Sequence, residues 1–457
     1  MSRRSAVLDV GSETGVVAAL SQEGEGIVRG GKTAFIAGAL PGETVRFRRV
    51  RRHRQFDDAR LEEIIAPGPA PSRVQPRCAH FQICGGCALQ HLDSGAQLRL
   101  KQQQLADSLE RLARLTPQRW LEPIGGEPWN YRRRARLGVK YVARKGRVLV
   151  GFRERASNLV ADLERCEVLA PPMDGLIAPL AALIGELSIR ELLPQIEVSI
   201  GDGVAALVLR VLQSPTEQDC TRLREFEARY GVRLFLQSGG LDSVRALTEP
   251  APRLFYALPA GVELEFGPTD FIQINAEVNR ALVAAAAQLL ELDPGSRVLD
   301  LYCGLGNFSL ALARLGGSVV GVEGEAALVE RARANARRNR IDNAQFFQAD
   351  LSGADVAGAP WLQGGLTHVL LDPPRLGAQA MLPRIAQLAP QRLLYVSCHP
   401  GTLARDLGTL VHEHGFELLA AGVVDMFAHT AHVESVALLA PRARPGAAGG
   451  GGHGRRD

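Results

Sequence analysis

Three short motifs in the last fifth of the chain hold side chains suited to covalent chemistry. Ser397-Cys398-His399-Pro400 offers a thiol, Asp372-Pro373-Pro374-Arg375 a carboxylate beside a guanidinium, and His432-Val433-Glu434 a second acid. A thiolate can add to an electron-poor carbon, and an acid near it can take up a proton later. Methylation of uracil at C5 needs such a set. C5 is too weak a nucleophile to attack a methyl sulfonium directly. Addition of a thiolate at C6 makes C5 enolate-like, and loss of the C5 proton then lets the thiolate leave. A free thiol ionises near pH 8.5, so the nucleophile needs an electropositive setting. Arg375, His399 and the sulfonium of a methyl donor can supply one. A single Cys is more often a buried structural thiol. The placement of Cys398 opposite Asp-Pro-Pro-Arg favours catalysis.

These motifs must sit where a fold gathers ligands. From about residue 267 to 441, strand-like runs alternate with helical stretches: Arg297-Val-Leu-Asp-Leu, Ser318-Val-Val-Gly-Val-Glu, Thr367-His-Val-Leu-Leu-Asp and Arg392-Leu-Leu-Tyr-Val-Ser. Such alternation predicts an α/β, Rossmann-like parallel sheet covered by helices. Open sheets of this kind bind ligands outside the carboxyl ends of their strands. Asp372 and Cys398 close the fourth and fifth strands and should face one cleft.

The same end should hold a cofactor. Asp300-Leu-Tyr-Cys-Gly-Leu-Gly-Asn-Phe places a Gly-rich turn between a strand and a helix. Glycine lets such a turn pass close to a ligand. Asn307 stands where a third glycine of a dinucleotide fingerprint would fall, which favours S-adenosylmethionine (SAM) over NAD. Glu323, at the end of the next strand, can accept from ribose hydroxyls, and Asp350 can meet the adenine amino group.

Earlier segments differ. Residues 6–66 carry short apolar runs broken by Gly and Pro, which predicts a small, OB-like β-barrel. A Pro-rich linker follows at 67–72. Leu98, Leu105, Leu109, Leu112 and Leu115 predict a helix over 97–115 with an apolar stripe. Cys78, Cys84 and Cys87 cluster, and Cys166 is remote. Four thiolates suit zinc or a [4Fe–4S] cluster. Three close ligands and a distant one lean toward iron–sulfur, because zinc sites usually come as two close pairs. No tight three-cysteine SAM-radical spacing occurs, so a structural or RNA-positioning role fits better than redox catalysis. Arg46, Arg48, Arg49, Arg51, Arg52 and Arg54 form one basic stretch. Arg132, Arg133, Arg134, Arg136, Lys140, Arg144, Lys145 and Arg147 form another. Both are expected to bind phosphates.

Composition sets the bounds. The chain has 457 residues, of which 46 % are apolar and 22 % charged, with a net charge of +4. That size implies roughly two to four domains. There is no signal-peptide core and no run of about 18 uncharged apolar residues, so a cytoplasmic chain with no membrane association is expected.

Together, Cys78-x5-Cys84-Gly-Gly-Cys87, Asp270-Phe-Ile-Gln-Ile-Asn, the Gly-rich turn, Asp-Pro-Pro-Arg, Ser-Cys-x-Pro and His-Val-Glu resemble the RNA (uracil-5-)-methyltransferase family over about residues 8–440. Within it the likeness is strongest to members that act on 23S ribosomal RNA. The resemblance implies Cys398 as nucleophile and Glu434 as the base that removes the C5 proton. It implies SAM contacts from Gln273, Tyr302, Asn307, Glu323 and Asp350, with Asp372 between cofactor and uracil. It also implies a [4Fe–4S] cluster on Cys78, Cys84, Cys87 and Cys166, a TRAM barrel, and packing of the 97–115 helix on the catalytic domain. The expected domains are 1–68 (TRAM-like barrel), 69–96 with 130–265 (central α+β, iron–sulfur and RNA-binding), 97–129 with 266–441 (SAM-dependent methyltransferase) and a disordered tail at 442–457. The expected partner is 23S ribosomal RNA, with no obligate protein partner and a monomeric chain. His399 departs from the family's usual Asn, and Ala428 from a common Pro. Competing readings are an RNA cytosine-5 methyltransferase, disfavoured because no second Cys follows Asp372, a transfer RNA uracil-5 methyltransferase, and a non-catalytic RNA-binding iron–sulfur scaffold.

Overall fold

The computed structural model describes residues 11–65, 70–353 and 358–442. Part of the expected linker and nearly all of the Gly- and Arg-rich tail lie outside the described residues.

Strands β1 (Glu13–Leu20), β2 (Gly26–Val28), β3 (Thr33–Ala37), β4 (Thr44–Arg52) and β5 (Phe56–Ile64) close into a barrel in the order β1-β2-β3-β5-β4. Val17, Ala34, Ile36, Val45 and Phe47 fill its interior. Alternation of inward and outward side chains is plain in β3, whose Ala34 and Ile36 are buried while their neighbours are not.

Helix α1 (Ser94–Ser108) follows the cysteine-rich loop and ends in a widened turn over Leu109–Ala113. It packs on elements from the far end of the chain, as the resemblance implied. Of the apolar stripe expected, Leu105, Leu109 and Leu115 are buried, but polar side chains share the buried face. Ala96, Gln97, Lys101, Leu105 and Ser108 are buried, while Leu112 is 64 % exposed. Polar side chains fill this face because the loops it meets present backbone groups needing partners.

After β6 (Arg119–Trp120), a six-stranded sheet forms from β7 (Arg134–Val142), β8 (Arg147–Gly151), β9 (Gln195–Ile200), β10 (Ala205–Arg210), β11 (Val232–Gln237) and β12 (Arg245–Ala246), ordered β12-β11-β10-β9-β7-β8. Helices α2 (Ile177–Glu186) and α3 (Glu217–Tyr230) accompany it, and β13 (Leu254–Ala257) pairs with β14 (Glu263–Phe266).

The remaining elements are α4 (Ala276–Leu290), β15 (Arg297–Leu301), α5 (Ser309–Arg314), β16 (Ser318–Glu323), α6 (Ala326–Arg338), β17 (Ala344–Gln348), β18 (His368–Leu371), α7 (Leu382–Leu388), β19 (Arg392–Ser397), α8 (Pro400–His412), β20 (Phe416–Val424) and β21 (Glu434–Pro441). They build a sheet ordered β17-β16-β15-β18-β19-β21-β20-β6, in which β21 runs antiparallel to both neighbours. The four parallel strands read from the sequence are β15, β16, β18 and β19. Their near-continuous apolar runs follow from burial on both faces. Among the described residues no helix is long and apolar enough to cross a membrane.

Candidate active site

Strands β15, β16, β18 and β19 are parallel neighbours, so their carboxyl ends open on one side of the sheet. Tyr302, Glu323, Asp372 and Cys398 each lie at or just beyond such an end. The Gly-rich turn needs left-handed backbone at Gly304 (φ 55°) and Gly306 (φ 96°), and a Cβ on Gly306 would press on Leu310. Tyr302 itself adopts φ 66°, uncommon outside glycine and often found at functional sites. Glu323 holds the turn: its carboxylate accepts from the Gly304 amide (3.1 Å) and the Glu325 amide (3.0 Å). Two such bonds leave acceptor capacity for a ligand's hydroxyls.

The other cofactor candidates are placed differently. Asp350 is exposed two residues beyond β17, and its carboxylate accepts from the Ser352 amide and hydroxyl. Gln273 is half-buried beside exposed Phe271. Asn307 faces inward. It forms a reciprocal amide pair with Asn279, 2.9 Å in each direction, and accepts from the Tyr256 hydroxyl at 3.0 Å. Asp270 closes a turn by accepting from Gly267 and pairs with Arg331 of α6.

Cys398 opens onto a cleft of about 580 Å³. Arg375, His432 and Phe427 line it, and Arg375 Nη2 lies 3.3 Å from His432 Nδ1. Burial pushes the Cys398 thiol up, the Glu434 charge adds to this, and Arg375 opposes it. The chain's own residues therefore supply only part of the electropositive setting. His399 lines the same cleft, but one of its ring nitrogens is already engaged. Its Nδ1 accepts from the Thr402 amide at 3.1 Å and so caps helix α8, a task an Asn performs equally well. The Thr402 hydroxyl in turn donates to the Arg375 carbonyl, tying the two motif loops together.

Two acids stand behind the thiol. Glu434, only 4 % exposed, begins β21 opposite Val424. Burial raises its carboxyl to about 8, Asp372 adds to the rise, and Lys101 opposes it. Burial likewise pushes Asp372 up to about 7. Fully buried Asp300, bonded to the Ser309 hydroxyl at 2.5 Å, is raised to about 7 as well.

The cleft is walled by distant parts of the chain, which sequence reasoning missed. Gln22 and Glu23 come from the β1–β2 turn of the barrel, Gly85 and Gly86 from the cysteine loop, and Arg132 and Phe152 from the central region. Arg132 lies over the Phe152 ring at 5.4 Å. Single residues contributed by separate folding units leave no local periodic signal.

Cys78, Cys84, Cys87 and Cys166 line one cavity and form no disulfides. Among the described residues no three His, Cys, Asp or Glu side chains are arranged to hold a single metal ion. Burial pushes Cys87 up to about 12 and Cys166 up to about 11, each raised further by the neighbouring cysteines. Cys220 and Cys303 lie elsewhere, and Cys303 is buried under the Gly-rich turn.

The basic stretches are largely neutralised within the protein. Arg46, Arg48 and Arg49 pair with Glu63, Glu62 and Glu13. Arg133 pairs with Asp202, Arg134 and Arg136 share Glu197, and Lys145 and Arg147 share Asp162. Exposed Arg51, Arg52 and Arg54 carry no ion pair among the described residues. The sequence counted charges but could not show their partners.

The tRNA (Uracil-5-)-methyltransferase family matches residues 262–442. The chain is 51 % identical over 426 residues to the 23S rRNA (uracil(1939)-C(5))-methyltransferase RlmD of Alkalilimnicola ehrlichii, covering 93 % of this chain and 95 % of that one. It is 50 % identical over 425 residues to the RlmD of Nitrosococcus oceani, with the same coverage. In fold it is similar to the Pyrococcus abyssi tRNA (uracil-54, C5)-methyltransferase solved with S-adenosyl-L-homocysteine. The TM-score is 0.72 at 24 % identity, covering 93 % of this chain and 100 % of that one.

Proposed function

The chain belongs to the RNA (uracil-5-)-methyltransferase family, and we propose that Cys398, Asp372 and Glu434 carry out its reaction. It methylates carbon 5 of a uracil in 23S ribosomal RNA, with SAM as methyl donor. The observation that supports the residue roles is the opening of Cys398 into a cleft backed by two buried acids, with Arg375 at its wall.

The Cys398 sulfur adds to C6 of the uracil, and the electron pair of the C5–C6 double bond moves toward the O4 carbonyl. SAM supplies the methyl group that C5 takes up. Glu434 then accepts the C5 proton. The electrons of that C–H bond re-form the C5–C6 double bond, the C6–S bond breaks, and the thiolate leaves. Arg375 lowers the cost of the thiolate. Asp372, recessed between the Gly-rich turn and Cys398, orients the uracil edge. Gln273, Tyr302, Glu323 and Asp350 hold SAM, while Asn307 acts through its inward amide pair, by keeping the turn in place. A base in folded RNA must leave its stack to reach this cleft.

The donor set on Cys78, Cys84, Cys87 and Cys166 fits a [4Fe–4S] cluster. Four thiols that burial and mutual repulsion hold protonated need a cationic centre to ionise, and iron supplies it. Such a cluster would fasten the loop at 78–87 to Cys166. We assign residues 1–68 to an RNA-binding barrel, 69–96 with 130–265 to a central domain, and 97–129 with 266–441 to the methyltransferase domain, in a cytoplasmic protein.

Mapping of labelled methyl groups on 23S RNA tests the reading. Wild-type protein should label one uracil at C5. Cys398→Ala should leave SAM binding unchanged and remove all transfer. Turnover by Cys398→Ala near the parent rate defeats the nucleophile assignment.

A further inference from the structure

Lys101 is 1 % exposed, among the most deeply buried side chains of its size in the molecule. It sits on the polar face of α1, beside buried Gln97 and Ser108. Its Nζ lies 2.6 Å from Asp425 Oδ1 and 3.0 Å from the Phe427 carbonyl oxygen. Asp425 directly follows Val424, the cross-strand partner of Glu434. The segment 425–433 joins these two strands and supplies Phe427, Thr430, Ala431, His432 and Val433 to the cleft. Burying an ammonium is costly unless it is paired and hydrogen-bonded. A helix anchored here for packing alone needs an apolar side chain. A lysine is useful where a fixed positive charge is required.

We propose that Lys101 is a positioning residue for the proton-abstraction step: from α1 its ammonium fixes the loop that leads into Glu434 and supplies the buried positive charge that keeps the Glu434 carboxylate ionisable.

The charged groups around Glu434 make that contribution specific. Asp372 faces it from the end of β18 and raises it, while Lys101 lowers it. Cys398 and Arg375 come from the β19 and β18 ends and interact with each other and with Glu434 through the thiol. Asp425, after β20, partly neutralises Lys101. His432 lies on the cleft side, beside Arg375, and is kept neutral mainly by burial. Arg375 acts on the thiol and His432, while Lys101 is the cation that lowers Glu434.

This inference rests on the assignment of Glu434 as base. The test follows decay of the covalent protein–RNA adduct after a single turnover, using a labelled 23S RNA fragment, quenched and run on denaturing gels across pH 5.5–9. In the parent protein the decay rate should rise with pH along one acidic limb. Lys101→Met should move that limb up by roughly one pH unit, as expected for loss of a neighbouring opposite charge, slowing decay about tenfold below it. Burial lowers Lys101 and the Asp425 carboxylate opposes this, so the matched control is Lys101→Arg, which keeps a cation at this place and should leave the limb near its parent position. A limb moved by Lys101→Met and restored by Lys101→Arg is not produced by simple loosening of the loop. A limb that stays in place in Lys101→Met, or that moves alike in both variants, overturns the proposal. If Lys101→Met does not fold, Lys101→Gln takes its place: the same upward shift supports the proposal and an unmoved limb overturns it. If the parent limb persists in Glu434→Gln, the base assignment itself fails. If Glu434→Gln abolishes the limb and Lys101→Met leaves it unmoved, only the role of Lys101 fails.

Discussion

Gln97 and His429, 332 positions apart in sequence, are locked together by their polar groups. The His429 amide donates to Gln97 Oε1 at 2.9 Å, and Gln97 Nε2 lies 3.2 Å from His429 Nδ1. The same Nε2 reaches the carbonyls of Leu89 (3.0 Å) and Leu92 (2.8 Å). The His429 carbonyl accepts from the Ala88 and Leu89 amides, and its ring lies tilted against Trp129, 3.9 Å between centroids. One glutamine therefore joins the cysteine loop to the loop that precedes Glu434.

Removing it should be costly. Gln97→Ala strands buried backbone groups on two loops and should destabilise the protein by about 1–3 kcal/mol. Urea unfolding followed by circular dichroism measures this. Adduct decay should also slow, since the 425–433 loop loses its anchor. An unchanged unfolding midpoint would show that solvent satisfies these groups.

The sequence made the parallel sheet legible because β15, β16, β18 and β19 are short apolar runs ending in polar motifs, a pattern burial on both faces imposes. It also placed Cys398 and Asp372 at strand ends. It read α1 only in part. Leucine spacing pointed to one face, whereas Gln97, Lys101, Gln104 and Ser108, also at helical spacing, bond Leu89, Leu92, Asp425, Phe427, Ser21 and the helix itself. A buried polar face looks like a solvated one until its partners are known. His399 was ambiguous for a related reason: helix capping and catalysis use the same ring nitrogen.

Iron content tests the cysteine site. Protein purified without oxygen should be brown and carry about four irons per chain. Cys166→Ser should lose both the colour and solubility, since Cys166 lies remote in sequence from the loop it meets. Stoichiometric zinc without iron under the same conditions excludes the cluster.

Salt dependence separates the paired arginines from the unpaired ones. Neutralising Arg51, Arg52 and Arg54 should weaken RNA binding and flatten log K against log salt by up to roughly 0.7–0.9 for each phosphate no longer engaged. Neutralising Arg46 and Arg48, which face Glu63 and Glu62, should change the slope little. Filter binding from low to moderate salt reads both, and equal effects would show that the internal ion pairs do not matter.

Stability should peak on the acid side of neutrality. His91 and His429 are lowered by burial to about 4, so the folded chain binds fewer protons than the unfolded one up to about pH 6.5, and stability gains as pH rises through that window. Asp300, Asp372 and Glu434 are raised to about 7, 7 and 8. For these the folded chain holds the extra protons, so stability falls as pH climbs from their ordinary values to about 8. The two effects oppose each other below pH 6.5, and only the loss operates from there to pH 8. The melting temperature of the protein without added SAM should drop across that interval, and Asp300→Asn should flatten the drop.

The last expectation divides the reaction at Glu434. Addition of Cys398 to C6 and methyl uptake at C5 need no base for the C5 proton, whereas elimination of the thiolate does. Glu434→Gln keeps the shape and hydrogen-bonding reach of the side chain but cannot take up that proton as a carboxylate does. The variant should methylate once and stall, leaving the protein joined to RNA through Cys398. A slow band carrying label from the SAM methyl group should appear on a denaturing gel and vanish in the Glu434→Gln, Cys398→Ala double variant. With Glu434 raised to about 8, the parent protein should show a trace of the same band at pH 6 that fades as pH rises, because the carboxylate form becomes more populated. Free turnover by Glu434→Gln without a band would pass the role to another group. His432, 3.3 Å from Arg375, and His399, which also lines the cleft, are then the candidates to test.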